Sequence, residues 1–298
     1  MGQKYRQTLG NRLFDTANVL FMCVMMFIFV YPFVNLFALS LNDGFDALKG
    51  GIYFFPRKFS LSAYEMIFNN NSHLLQGAWW SVLRVVTATS TTLFATGLLS
   101  YIVTLKHFSG RKFLRTAFFL TMYFGGGLIP TYLLIVKLGL TNTFWVYILP
   151  GVFNAYFMLI MSSYIQNMPE AMFDSARIDG ASEFRIYWAV VIPVAIPVFA
   201  AVSIYLAVSN WNSWFDVVLY NSNGDYDTLQ VYLRRILTEA EGMNDIKDQQ
   251  LLYNKFKSMT PATLRAATTM VVVIPILVVY PFFQKYFIGG LTIGSVKG

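Results

Sequence analysis

The sequence predicts an all-α polytopic membrane protein with six transmembrane helices, and three observations predict it. First, 56% of the 298 residues are hydrophobic and only 12% are charged, against about 25% charged in an ordinary soluble domain. Second, the charges are unevenly spread: the stretches 16–42, 85–105, 116–136, 138–169, 186–215 and 266–284 carry none. Third, each stretch matches or exceeds the roughly 20 residues that cross about 30 Å of hydrocarbon. A soluble domain, a secreted disulfide scaffold and a disordered chain are excluded. The single cysteine, Cys23, leaves neither a disulfide framework nor a cysteine-ligated zinc site.

Taken in order, the expected spans are 16–41, 80–105, 116–136, 143–165, 187–212 and 266–284, forming one transmembrane domain over residues 1–298. The first is too long for a signal-peptide core and lacks a convincing cleavage site, so it is read as a retained anchor. Arg84 heads the second span and is expected to snorkel to the interface. The loop after that span holds Lys106, Arg111, Lys112 and Arg115. Basic residues concentrate in short cytoplasmic loops, which predicts both termini inside. The net charge of +7 follows from the same bias and needs no nucleic acid. Gly125-Gly126-Gly127 with Pro130 interrupts the third span, and Pro150-Gly151 the fourth. Pro193 and Pro197 open the fifth, and Pro275 and Pro281 lie in the sixth. Membrane helices tolerate such breaks where neighbours or a water-lined cavity satisfy the freed backbone groups. They fit either ordinary kinks or a bundle that must rearrange. The longest outer loop, 216–265, contains the partly amphipathic run 229–241 and is expected to fold as a small cap.

Chemistry within the membrane is disfavoured. The histidines are His73 and His107, both outside the charge-free stretches, and no Asp or Glu lies in any expected span. That counts against an intramembrane hydrolase, a histidine metal site and an ion-coupled carrier. No phosphate loop is present. Energised transport would need another chain to supply the energy.

Segment 168–186, on the cytoplasmic side between the fourth and fifth spans, is the most informative. Pro169 suits the first turn of a helix, Glu170 and Asp174 its positive end, Gly180 its termination, and Ser182 the cap of a second helix. An amphipathic helix, a glycine turn and a second helix are expected. The run Asp174-Ser175-Ala176-Arg177-Ile178-Asp179-Gly180-Ala181, followed by Ile192-Pro193, resembles the EAA loop of bacterial ABC-importer permeases. Asp174 stands where that family usually has Glu, and Ser175 where it has Ala. The ending 283–298 is similar to the tail of maltose-type sugar permeases. Phe124–Tyr132 and Asp227–Arg234 resemble their complex-oligosaccharide branch.

The resemblance implies a type I importer permease in the bacterial plasma membrane. Its implied partners are a second homologous permease chain, two cytoplasmic ATPase subunits and an extracellular solute-binding lipoprotein. Carbohydrate is the implied substrate. The chain itself would bind no cofactor, with ATP and Mg2+ on the ATPases. Glu170, Asp174, Arg177 and Asp179 would make polar contacts with an ATPase, Phe173 and Ile178 the packed anchor, and Gly180 the turn. The tail residues Leu291, Thr292, Gly294 and Lys297 would reach the ATPases. Leu229, Tyr232 and Arg234 would fold the outer loop or contact the binding protein. Candidate pathway-lining residues pair aromatics with amides: Tyr123, Tyr132, Asn154, Tyr156, Asn210 and Trp211. Trp211 and Trp214 equally fit an interfacial aromatic belt. The competing reading from another class is a secondary carrier or channel without an ATPase. A membrane-embedded enzyme is a third.

Overall fold

The computed structural model describes residues 9–69, 71–242 and 259–293. Among them the chain is helical. Four helical runs are long and apolar enough to cross a membrane: Gly10–Ser40, His73–Ile102, Glu183–Asn212 and Pro261–Pro281. A further apolar pair, Phe144–Gly151 and Ala155–Gln166, is long enough only when taken together and bends by 47° at its break. The third expected span, 116–136, is not one helix but two short ones, α5 (Arg111–Thr121) and α6 (Leu128–Lys137). Glycines at 125–127 remove side-chain restraint between them, and Gly127, the residue before α6, stands at φ 82°, which a residue with a Cβ rarely adopts.

The described residues form two compact units. The first comprises residues up to 70 and 235–273. It contains α1 (Leu9–Ser40), the short α2 (Gly44–Ala47) and α3 (Ser62–Asn69). The loop after α1 is knotted by polar groups. The Asn42 side-chain oxygen accepts the backbone N–H groups of Arg57 and Lys58 at 2.8 and 2.9 Å. Asp46 pairs with Arg57 at 3.1 Å, and Asp43 with Lys58 at 3.5 Å. Burial alone would raise the Asp46 carboxyl, but the Asn42 amide, Arg57 and Lys49 more than offset it and hold it below the usual range.

The second unit comprises residues 71–234 and 274 onward. Its frame is α4 (Asn71–Ile102), α7 (Ala155–Gln166) and α10 (Ile192–Asn212). α8 (Glu170–Ile178) and α9 (Glu183–Ile186) connect α7 to α10, with a single π-helical turn, Tyr187–Val191, where α9 runs into α10. α11 (Phe215–Tyr220) and the start of α12 (Leu229–Gly242) follow, and of α13 (Pro261–Ile293) the part from residue 274 belongs to this unit. The core is a continuous apolar cluster including Tyr101, Met161, Ile165, Tyr187, Val191, Ala195 and Val202. α4 approaches α10 closely because Gly97 has no side chain. A Cβ there would meet the Phe199 ring at 2.7 Å and the Tyr187 hydroxyl at 2.8 Å. Small residues at such crossings let membrane helices pack by van der Waals contact.

The break in the fourth span is satisfied from α4. Thr92, Thr96 and Ser100 recur every four residues and so share one helix face. Thr92 donates to the Gly151 carbonyl at 2.9 Å, Thr96 to the Val152 carbonyl at 3.2 Å, and Ser100 to the Met158 carbonyl at 3.2 Å. The Thr96 hydroxyl also accepts the Asn154 N–H at 3.2 Å. Water is absent from hydrocarbon, so the Thr92 and Thr96 hydroxyls take over backbone groups left unpaired at the break, while Ser100 ties α4 to α7 beyond it.

Arg84 does not snorkel. It is 3% exposed and forms a bidentate pair with Asp216 of α11. Its guanidinium lies 4.8 Å from the Tyr147 ring centroid, and Ser213 donates to Asp216 at 2.7 Å. A buried cation in a membrane helix needs a compensating charge, and Asp216 supplies it from 132 residues away.

Candidate functional site

The hairpin after α7 forms as its sequence dictates. α8 ends in a Schellman arrangement: the Gly180 N–H bonds the Arg177 carbonyl at 3.0 Å, and the Ala181 N–H the Ala176 carbonyl at 3.0 Å. Gly180 stands at φ 78°, which only a residue without Cβ takes readily. The Ser182 hydroxyl then caps α9 by accepting the Arg185 N–H. Ala176 and Ala181 both pack toward the core.

Side chains of the hairpin divide into two sets. Phe173 is half-buried and packs against the apolar core of its own chain, which roots the hairpin. Ile178 is 86% exposed and Phe184 59%, leaving two large apolar side chains at the tip. Asp174, Asp179 and Gly180 are exposed as well.

A polar clamp ties the hairpin to the end of α4. Lys106 donates to Glu170 at 2.6 Å. That hydrogen bond and the ammonium charge hold the Glu170 carboxyl below its ordinary range. Arg177 donates to Glu183 at 3.1 Å and to Asp174 at 3.3 Å. The Glu183 hydrogen bond pushes the Arg177 guanidinium further up, against a smaller opposing effect of burial. The other Glu183 oxygen accepts the hydroxyl of Tyr101, a residue only 2% exposed. His107 lies 3.9 Å from Glu183. A cleft of about 230 Å3 sits beside this clamp, lined among others by Thr104, Lys106, His107, Gln166, Glu170 and Arg177. The arrangement joins α8, α9 and the end of α4 into one block. The sequence expectation gives Glu170, Asp174, Arg177 and Asp179 contacts with an ATPase; the bonds of Arg177 to Glu183 and of Glu183 to Tyr101 within the chain lie outside it. The one available signal was Glu183 six residues after Arg177, across the glycine turn.

The other expected residues are dispersed. Leu229 is buried, and its N–H bonds the Ser81 hydroxyl at 2.8 Å, so it folds the loop. Tyr232 is half-buried on α12. Arg234 is exposed, its guanidinium stacked 3.6 Å from the Trp214 ring centroid. Asn154 caps α7 by accepting the Phe157 N–H at 3.1 Å. Asn210 donates back to the Leu206 carbonyl at 2.9 Å. Tyr132 stacks on Tyr220 with centroids 6.0 Å apart, while Tyr123 and Tyr156 are 69% and 56% exposed. Trp211 lines a largely apolar groove of about 280 Å3 with Val82, Val86, Ile204, Val208, Ile276 and Val279. Leu291 and Thr292 fall in the last turn of α13. Gly294 and Lys297 lie outside the described residues.

Comparison with known proteins gives a consistent result. Residues 98–293 match the family described as binding-protein-dependent transport system inner membrane component. The chain is 33% identical to the polygalacturonan/rhamnogalacturonan transport system permease protein YtcP of Bacillus subtilis (strain 168), over 97% of this chain and 100% of that protein. It is 29% identical to the arabinooligosaccharides transport system permease protein AraQ of Halalkalibacterium halodurans, over 91% of this chain and 92% of that protein. In fold it is similar to a chain of a solved bacterial ABC transporter involved in the import of the acidic polysaccharide alginate. The TM-score is 0.82 at 24% identity, covering 95% of this chain and all of the other.

Proposed function

The chain belongs to the family of binding-protein-dependent transport system inner membrane components, and from that premise we propose how it works. It is a multi-pass permease subunit in the bacterial plasma membrane, part of an ATP-binding-cassette importer for carbohydrate. Its relatives carry polygalacturonan or arabinooligosaccharides by name, which supports an oligosaccharide substrate. It is a transport component and not itself a catalyst. In our reading the pathway needs six crossings with both termini inside, a second permease chain, two ATPase subunits that hold ATP and Mg2+, and an external solute-binding protein.

The observation that carries the mechanism is the clamped hairpin with an exposed apolar tip. Ile178, Asp179 and Phe184 would enter a cleft on an ATPase, with Asp174 and Glu170 at its rim. Large exposed apolar side chains grouped on an otherwise polar hairpin mark a protein contact. Closure of the ATPase pair would displace α8. Because the clamp fixes α8 to α4 and α9 to α10, the displacement would turn the spans as a rigid body instead of being absorbed in a loop. Arg234 on the outer α12 is the best-placed contact for the binding protein, and the end of α13 would approach the ATPases.

The experiment is purification of this chain from its native membrane, followed by uptake in proteoliposomes. An ATPase and a second permease should co-purify. Uptake should require ATP and a binding protein loaded from an oligosaccharide panel. Uptake by the chain alone, without an ATPase, would establish the secondary-carrier reading instead.

A further inference from the structure

α1 is longer than a bilayer is thick. Its 32 residues rise about 48 Å at 1.5 Å each, whereas the hydrocarbon core takes about 30 Å. The charge-free run suggests an upper boundary near residue 41, but the loop that follows α1 places it lower. The Asn35 side chain donates to the carbonyls of Ile52 at 2.7 Å and Tyr53 at 3.3 Å. The backbone of residues 52–53 therefore lies level with Asn35, more than a turn before α1 ends. This stretch is irregular, with Gly50 and Gly51 at φ 69° and 73°. Irregular backbone exposed to lipid tails would leave peptide groups unbonded, which hydrocarbon does not tolerate.

The Phe54 ring of the same loop lies further along α1, toward its N-terminus. Phe54 packs on Tyr31 and Phe27, with centroids 5.6 and 6.4 Å apart, one and two turns below Asn35. Tyr53 and Phe55 are 60% and 83% exposed. On the other side of Asn35 stand the ion pairs of Asp43 and Asp46 with Lys58 and Arg57. Along α1 the order is thus ion pairs, then irregular backbone, then aromatic rings, then bare apolar helix. That order matches passage from water through headgroups to acyl chains, where aromatic side chains collect.

We infer that Tyr53, Phe54 and Phe55 form an aromatic hook seated at the headgroup–acyl boundary of the leaflet at the C-terminal end of α1, and that hydrocarbon meets α1 just before Asn35. The crossing then runs over residues 16–34, about 28 Å, which fits the hydrocarbon core without tilt. The end of α1 stands above it. Ala38 and Ser40 are fully buried there, and Ser40 and Tyr64 share a 2.9 Å hydrogen bond. The inference rests only on α1 crossing the membrane. It is independent of the sugar, the ATPase contact and the orientation.

The test uses the complete importer in lipid nanodiscs, with Cys23→Ser and other cysteines removed. A nitroxide is attached at Phe55→Cys, with references at Phe29→Cys and Lys49→Cys, all exposed side chains. Collision rates with oxygen and with a water-soluble nickel chelate report depth. The oxygen-to-nickel ratio should fall in the order 29, 55, 49, with 55 clearly separated from both. A ratio at 55 equal to that at 49 puts the hook in water and overturns the inference. A ratio equal to that at 29 makes the loop re-entrant and also overturns it. Suppression of both collisions at 55 means protein covers the hook, with the same consequence. If Phe55→Cys fails to assemble, Tyr53→Cys carries the same three outcomes.

Discussion

At Gly180 the backbone stands at φ 78° with nothing within 4 Å of a built Cβ, so conformation, not space, demands glycine. A side chain there costs about 1–2 kcal/mol, most for a β-branched residue. Gly180→Val should therefore lower uptake severalfold while the complex still assembles, and Gly180→Asn should retain more activity, as Asn tolerates this region. Equal uptake by wild type and Gly180→Val would remove the turn from the coupling argument. Glu183 is the second informative residue. Tyr101→Phe removes a single hydroxyl and leaves the ring, whose centroid lies 5.7 Å from that of Tyr187. If the clamp transmits motion, Tyr101→Phe and Glu183→Gln should raise the ATP hydrolysed per sugar imported at unchanged complex yield. A fall in yield with a constant ratio would mean the clamp only stabilises the fold. The turn was legible because its determinants lie within a dozen residues. Tyr101 was not, because a tyrosine in an apolar stretch reads as core until its hydroxyl is seen to meet a carboxylate 82 positions on.

Among the elements, the broken fourth span shows what holds a defect inside a membrane. Pro150 and Gly151 announce the break in the sequence, while Thr92 and Thr96 resolve it from another helix. Thr96→Val should lower the thermal stability of the purified complex by roughly 0.6–2 kcal/mol, the range for hydrogen bonds between membrane helices. Thr91→Val is the control, since Thr91 bonds only the Thr87 carbonyl of its own helix at 2.7 Å. Equal loss in both variants would show that threonine on α4 acts through helix propensity and not across helices. At Gly97 a larger change is expected: Gly97→Leu must push apart Phe199 and Tyr187, and assembled complex should drop steeply on a sizing column. The break in the third span was legible from the Gly125–Gly127 run, but its separation into two short helices was not, since periodicity continues on either side.

For the whole molecule the open quantity is orientation. The Lys106–Arg115 cluster predicts a cytoplasmic second loop. With Cys23→Ser as background, Ser109→Cys should react with a membrane-impermeant maleimide only from the cytoplasm, and Asp225→Cys only from outside. The opposite pattern would invert the topology and remove the hairpin from reach of a cytoplasmic ATPase. Ser109 and Asp225 are both exposed, so accessibility reads sidedness rather than burial.

Sequence by itself determined the membrane class, the helical content and the helix–glycine turn–helix hairpin of residues 168–186. Charge depletion, helix breakers and caps act over a few residues, and hydrocarbon permits few backbone solutions. Tertiary structure alone decided the rest. It joined Arg84 to Asp216, Glu183 to Tyr101 and Asn35 to the backbone of Ile52, and it turned Phe173 inward while leaving Ile178 outside. The physical reason is that a hydroxyl, an amide or one isolated charge leaves no periodic trace in a sequence. Its role is set by the group opposite, which here lies from 17 to 132 residues away.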